Sequence, residues 1–460
     1  MGITTLSPEL VHYRLLIVEP LSQKLLALSC RDRYCLPQIG IPVWARPARE
    51  VQDICRSLWD LQVFVVRFLA LEQDVPVHYA IVEVLARGSN ALLKLLPPEQ
   101  ALDQESPEAR CVLLGKLFTE DGCQPMDRVG WIDAAIQWVE SSVGREISVS
   151  AQVEQFNAGG GFALVRFTME EGSHYWLKAT GGPNAHEFGI NCYLSDPNRA
   201  TSQYLPQLID TREPWNAWLM AGDAMELSEM SRDPLEALPV LNDVVVSLAR
   251  LQIATVGEVD SLLALGSSDH RFGKLFLAVP ELFDYLQIAM SCQASTRVPR
   301  VERSRLAELR KVVGDTCRRM EDLELPVSLV HGDLNRGNIL RKEHCFFIDW
   351  SEARVGCPLL SLQHALLLNQ VDDGIGRGEL KRSLMQSYGD EWGVVSDLDR
   401  LEDGLRSTPL LAALSALYGR GDWLRNGERD HPNRLAYART LTRHMDRAAR
   451  EMNGECEPCS

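Results

Sequence analysis

In the C-terminal half the chain reads Val330-His331-Gly332-Asp333-Leu334-Asn335-Arg336-Gly337-Asn338-Ile339-Leu340 and then Cys345-Phe346-Phe347-Ile348-Asp349-Trp350. An apolar strand, residues 327–330, ends in a polar loop, and a second apolar strand ends in an isolated carboxylate. Two carboxylates and an amide are thereby delivered at strand ends, and these residue types suit phosphoryl transfer. Asp333 can accept the proton of a substrate hydroxyl. Asn338 and Asp349 are hard oxygen donors suited to Mg²⁺ bridging nucleotide phosphates. No covalent enzyme intermediate is required. Taken singly, each residue is ordinary: a turn residue, a cap and a strand terminator.

Taken together, the motif resembles the aminoglycoside phosphotransferase and choline kinase-like family, which shares the protein-kinase-like fold. The Asp333-to-Asn338 spacing also matches the protein-kinase catalytic loop, with His331-Gly332-Asp333 replacing His-Arg-Asp as in the small-molecule branch. The resemblance covers roughly residues 127–440 and implies an α+β, bilobal protein-kinase-like fold with a β-rich N-lobe and a helical C-lobe. It also implies ATP and Mg²⁺ as cofactors and a nucleotide-binding lobe ahead of the loop.

Phe156-Asn157-Ala158-Gly159-Gly160-Gly161-Phe162 sets three glycines between two strands, where backbone can approach phosphates with no Cβ in the way. In Tyr175-Trp176-Leu177-Lys178-Ala179, alternation puts Lys178 on the face of Trp176. By the resemblance, Lys178 is the phosphate-pairing lysine and Glu187, opening a helical segment, is its ion-pair partner. Residues 215–222 read as a strand entering a Gly-containing connector; the family's hinge would put Leu219, Met220 and Ala221 near the adenine, although an apolar edge strand looks the same. Two departures stand out. Ser361 occupies the Asp position of the family's Gly-x-Pro-x-x-Asp-Leu segment, so the hydrogen bond that supports the catalytic loop is expected to be weaker or rerouted. Gln252 stands where many relatives carry His.

The elements that must position these residues fall into three expected domains. Residues 1–125 read as a small α/β domain, with strands at 11–19 and 78–86 and a helix at 48–61 striped by Val51, Ile54, Cys55 and Leu58. Leu36-Pro37, Gly40 and the following helix are similar to the Nudix fold, but the Glu-rich metal helix is missing, so either a non-catalytic Nudix-like domain or an unrelated α/β module is expected, folding separately. Residues 97–109 read as a loop. A helix capped by Asp127 over 127–142 opens the N-lobe, 126–225, with strands at 147–156, 162–168 and 175–179. The helical C-lobe, 226–460, includes a helix at 301–323.

Composition sets the frame. The chain has 460 residues, 45% hydrophobic and 24% charged, which excludes disordered, collagen-like and coiled-coil classes. With 47 basic against 63 acidic residues, a formal charge of -16 argues against a nucleic-acid partner. That charge suits a cationic acceptor, but it is also an ordinary means of staying soluble. No apolar stretch reaches the ~18 residues of a membrane span. The twelve Cys are scattered and no secretory signal opens the chain, so reduced thiols in a cytoplasm are expected. Cys456 and Cys459 form a terminal CxxC with no second pair, read as a frayed tail. The expected function is ATP-dependent transfer of a γ-phosphate to a hydroxyl of a small molecule, aminoglycoside-like, an amino alcohol or another hydroxylated metabolite. The alternative is a nucleotide-binding scaffold with a kinase-like fold.

Overall fold

The structure is a computed structural model, and it describes residues 10–30, 33–71, 77–88, 92–119, 123–147, 153–158, 161–369, 377–421 and 429–454. Gly159, Gly160, Cys456 and Cys459 lie outside the described residues. The chain divides into two compact units: Met1–Phe188 with Gln207–Asp223, and Gly189–Pro206 with Ala224–Ser460.

In the first unit, β1 (Leu10–Glu19), β2 (Lys24–Cys30), β3 (Arg33–Cys35), β4 (Gln38–Pro42), helix α1 (Pro47–Trp59), β5 (Leu61–Leu71), β6 (Val77–Arg87) and β7 (Leu93–Leu96) come first. The strands form a seven-stranded sheet in the order β3-β2-β1-β6-β5, with β4 on β1 and β7 on β2. β1 and β6 are parallel and the other pairs antiparallel. Because the side-chain period of a strand is two, β1 sends Leu15 and Ile17 to one face and Leu16 and Val18 to the other, and all four are buried. Helix α1 covers the first face with Ala48, Val51, Gln52, Cys55 and Trp59, whereas Leu58, expected on this stripe, is 54% exposed.

The stretch expected as a loop at 97–109 instead forms α2 (Pro98–Ala101) and the start of α3 (Pro107–Leu117). Each begins with Pro, whose fixed φ suits a first helical position, and Ser106 Oγ caps α3 by accepting from Ala109 N–H at 3.1 Å. Helix α4 (Trp131–Val143) is not capped by Asp127, which ends a 3₁₀ turn, Pro125–Asp127; its N-cap is Gly130, at φ +89°. Then come β8 (Val153–Asn157), β9 (Phe162–Thr168), β10 (His174–Thr180), helix α5 (His186–Leu194), β11 (Leu208–Arg212) and β12 (Ala217–Ala221). These strands make an antiparallel sheet in the order β11-β12-β10-β9-β8. One continuous core joins the two sheets through α4: Leu16, Val18 and Phe64 pack with Ile132 and Ala135, and these with Val165, Leu177 and Leu219. The boundary expected near residue 125 falls inside this core.

The second unit holds β13 (Met225–Glu226), α6 (Pro234–Ile253), α7 (Val259–Ala264), β14 (Ser268–His270), α8 (Phe272–Ser291), α9 (Arg303–Asp322), β15 (Ser328–Val330), β16 (Ile339–Arg341), β17 (Cys345–Phe347), β18 (Arg354–Gly356), α10 (Leu359–Leu368), α11 (Arg377–Trp392), α12 (Leu398–Tyr418) and α13 (Pro432–Met452). Its two small sheets, β13-β16-β17 and β14-β18-β15, sit among helices whose apolar faces form one core; α9 contributes Leu309, Val313, Cys317 and Met320 at helical spacing. The expected α+β class is present, with a β-rich first unit and a helical second one. No described helix is long and apolar enough to cross a membrane. Cys30 and Cys35, with Cα atoms 6.3 Å apart across the β2–β3 connection, are joined as a disulfide, where the sequence reading expects thiols. The other described cysteines are free.

Glu83 on β6 is fully buried, and its Oε2 accepts from Gly130 N–H at 2.8 Å, capping α4 from the neighbouring sheet. Burial, foremost, raises its pKa from 4.5 to about 7, with the nearby Asp133 carboxylate adding to the rise. The folded state therefore binds this proton more tightly than the unfolded one, and the stability it contributes is lost as pH rises from about 4.5 through about 7. Glu83→Gln keeps the acceptor and removes the titration. Melting temperatures of the two proteins should converge near pH 4 and diverge in favour of the Gln variant by pH 8, read by thermal unfolding across that series.

Candidate active site

The loop after β15 is held by its own backbone and by three neighbours. Gly332 has φ +65°, and a Cβ there would overlap the Glu352 carbonyl, so only glycine fits between His331 and Asp333. His331 is buried; its Nε2 hydrogen-bonds to Ile348 O at 2.9 Å, its ring lies 4.5 Å from that of Trp350, and its backbone N–H donates to Ser361 Oγ at 2.9 Å. Desolvation, the largest effect, lowers the His331 pKa below 6.5, so the ring is neutral and its Nε2–H is the donor. His331 thus ties the loop to the residue just before Asp349. Ser361, read as a weakened support, supplies the loop's hydrogen bond at ordinary length from a fully buried site. Gln252 is also fully buried. Its Nε2 donates to Leu329 O at 3.1 Å and Pro358 O at 3.2 Å, and its Oε1 accepts from Tyr388 Oη at 2.6 Å, so it links α6, β15, the start of α10 and α11.

Asp333 is half-buried. Its Oδ2 accepts from Asn335 Nδ2 at 3.1 Å and Asn338 Nδ2 at 3.2 Å, and Asn338 Nδ2 also donates to Asp333 O at 2.8 Å. The Asn338 amide nitrogen is turned into Asp333, which aims its oxygen the other way. Hairpin pairing of Ile339 with Phe347 and the bond from Ile348 N–H to Asn338 O at 3.1 Å bring Asn338 to the same hairpin end as Asp349. Asp349 sits at φ +64°, and its Oδ1 accepts from Ser351 Oγ at 2.8 Å. An amide and a carboxylate at one hairpin end are donor types that fit Mg²⁺. Arg336, between the two motif ends, is buried and donates to the carbonyls of Leu227, Met230 and Ser231.

In the first unit, Lys178 Nζ and Glu187 Oε1 are 2.6 Å apart, with side chains 8% and 1% exposed. The ammonium lies 5.2 Å from the Phe162 ring centroid and 5.8 Å from that of Trp218. The pair is bounded by aromatic faces that attract a cation. Gly161, at φ +102°, immediately precedes β9, and its carbonyl accepts from Gly181 N–H at 2.7 Å. Strand β12 lies beside β10, with Leu219 opposite Leu177 and Met220 opposite Trp176. Leu219 is turned into the core, Met220 is buried, and the Ala221 N–H donates to Gln207 O at 3.0 Å. Asn335 as a second donor to Asp333 went unread; its position inside the loop motif was the available signal. The roles of Gln52 and Gln155, described below, had none.

The phosphotransferase enzyme family model matches residues 239–401, which contain the whole catalytic-loop motif. The resemblance read from His331-Gly332-Asp333 is borne out over this segment by that match. No curated protein sequence matches the chain. Solved structures similar to it include an ethanolamine kinase of Plasmodium vivax, 12% identical, TM-score 0.44, over 78% of this chain and 98% of that one. A choline kinase of Cryptosporidium parvum is 12% identical, TM-score 0.47, over 70% and 97%. A macrolide 2'-phosphotransferase of Brachybacterium faecium is 14% identical, TM-score 0.38, over 71% and 98%.

Ser361→Ala leaves the buried His331 N–H without its acceptor, a loss of roughly 1–3 kcal/mol. Urea unfolding should show a lower midpoint at unchanged slope; an unchanged midpoint would mean that the loop does not depend on this bond.

Proposed function

We propose that the protein is an ATP-dependent phosphotransferase that moves the γ-phosphoryl group of ATP to a hydroxyl of a small molecule. The observation that supports this reading is that the Asn338 amide nitrogen fixes the Asp333 carboxylate while the β16–β17 hairpin brings Asn338 and Asp349 to one end. Asp333 Oδ2 is occupied by Asn335 and Asn338, so Oδ1 takes the acceptor's proton. The acceptor oxygen forms its bond to the γ-phosphorus as the bond to the bridging oxygen breaks, and ADP leaves. Asn338 and Asp349 would hold Mg²⁺, which when bound neutralises charge on the phosphates.

Lys178, fixed by Glu187, pairs with the α- and β-phosphates. The backbone at Gly161 lies along them, and Leu219, Met220 and Ala221 flank the base. A buried ammonium–carboxylate pair whose partner is lost leaves an unpaired buried charge, so this pair is expected to be unforgiving of single substitutions. The acceptor is an aminoglycoside-like compound, an amino alcohol or another hydroxylated metabolite.

Positioned acid–base groups contribute about 10²–10⁴-fold. Asp333→Asn should cut turnover by at least the lower bound with MgATP affinity nearly unchanged, in an ADP-release screen across hydroxylated metabolites and antibiotics; wild-type turnover in the variant would remove Asp333 from the mechanism. For the metal, Mg²⁺ titrated into Asp349→Ala with and without ATP should show weakened MgATP binding, and equal affinity in variant and wild type would overturn the assignment. A wild-type protein that binds MgATP but releases no ADP with any acceptor would be the scaffold instead.

A further inference from the structure

β5 ends one sheet of the first unit and β8 ends the other, so each has one edge without a strand partner. Unpaired edge groups buried from water are costly, and these are satisfied by two side chains. Gln155 on β8 is fully buried: its Oε1 accepts from Val65 N–H at 2.7 Å and its Nε2 donates to Val65 O at 2.8 Å. Gln52 on α1 is buried and does the same for β8: its Oε1 accepts from Gln155 N–H at 2.8 Å, and its Nε2 donates to Val153 O at 3.3 Å and Val63 O at 2.8 Å. Each carboxamide acts as one residue of a missing strand. The same strand is held further along. The Arg49 guanidinium of α1 lies 5.3 Å from the Phe156 ring centroid, that ring packs 4.8 Å from Trp176, and Ala158 is part of the core beneath α1 with Val51 and Cys55. Helix α1 therefore grips β8 at residues 153, 155 and 156 and the Ala158 that follows it, on the arm of the β8–β9 hairpin opposite Gly161.

We propose that Gln52, with Arg49, is a positioning residue for nucleotide binding: the N-terminal module is the anchor that sets the β8–β9 hairpin against ATP. This rests on the reading of the first unit as the nucleotide-binding one. Gln52 touches no nucleotide in this proposal. It acts through the backbone of β8, and the module contributes affinity for ATP without contributing chemistry.

The test uses the full chain. Gln52→Met keeps the side chain's length and removes its hydrogen bonds; Arg49→Ala removes an exposed guanidinium and should fold in any case. Ile17→Val thins the same module's core on β1, a strand that pairs with neither β5 nor β8, and serves as the stability control. The expected result is a rise in KM for ATP of roughly tenfold for Gln52→Met, within the range of coupled sites. Arg49→Ala should raise it less, with kcat unchanged in both and faster amide hydrogen exchange confined to 153–158. Ile17→Val should lower the melting temperature with KM unchanged. Wild-type KM and exchange in a folded Gln52→Met protein, or in Arg49→Ala should Gln52→Met fail to fold, would overturn the inference while wild-type ADP release keeps the phosphotransfer reading standing. A KM rise of the same size in Ile17→Val would reduce Gln52 to a general stability role. Wild-type protein that binds no MgATP overturns both readings, and is recognised because no variant is needed to see it.

Discussion

Two sheets that end side by side inside one hydrophobic core leave backbone groups that water cannot reach and no strand pairs. The first unit solves this with Gln52 and Gln155, whose carboxamides each carry a donor and an acceptor at nearly the spacing of a peptide group. Much else in that unit follows. α1 must lie where its Gln52 reaches both β5 and β8, Ala158 is drawn into the core beneath that helix, and β8 is hydrogen-bonded through these two side chains to the edge of the seven-stranded sheet. Any length change in α1 that rotated Gln52 away would expose the problem again, because an amide left unpaired in a core costs about 1–3 kcal/mol.

The second unit applies the same rule of buried polar satisfaction to a loop. His331, Ser361 and Gln252 are buried polar side chains around one strand end, and each hydrogen-bonds to backbone: Ile348 O for His331, His331 N–H for Ser361, and Leu329 O and Pro358 O for Gln252, which also accepts from Tyr388 Oη. A loop fixed through its backbone tolerates different side chains in the supporting positions, provided each offers an acceptor or donor at the right place. That is why Ser361 serves where an Asp was expected. A hydroxyl carries the same lone pairs without the charge, and at a site with no exposure an uncompensated carboxylate would raise the cost of burial.

Lys178 and Glu187 present the opposite balance. Their pairing is buried between aromatic rings, so its attraction is strong and its desolvation large, and the net stability it gives is small compared with the cost of removing one partner.

What the sequence determined by itself was local. The strand periods at 11–19 and 78–86, the helix over 301–323, the loop at His331-Gly332-Asp333 and the Lys178 strand were all legible because period, turn chemistry and motif spacing are properties of neighbouring residues. The proline-opened helices α2 and α3 were hidden because their short lengths give no stripe, and the Gly130 start of α4 because its cap, Glu83, comes from a strand elsewhere in the chain. Only the tertiary structure decided that the seven-stranded and five-stranded sheets share one core, that Ser361 still holds His331, and that two glutamines far apart in sequence complete each other's strand edges. The physical reason is the same in each case: a buried donor or acceptor is satisfied by whatever the fold brings within hydrogen-bond reach, and a glutamine carries no mark in the sequence of which backbone it will meet.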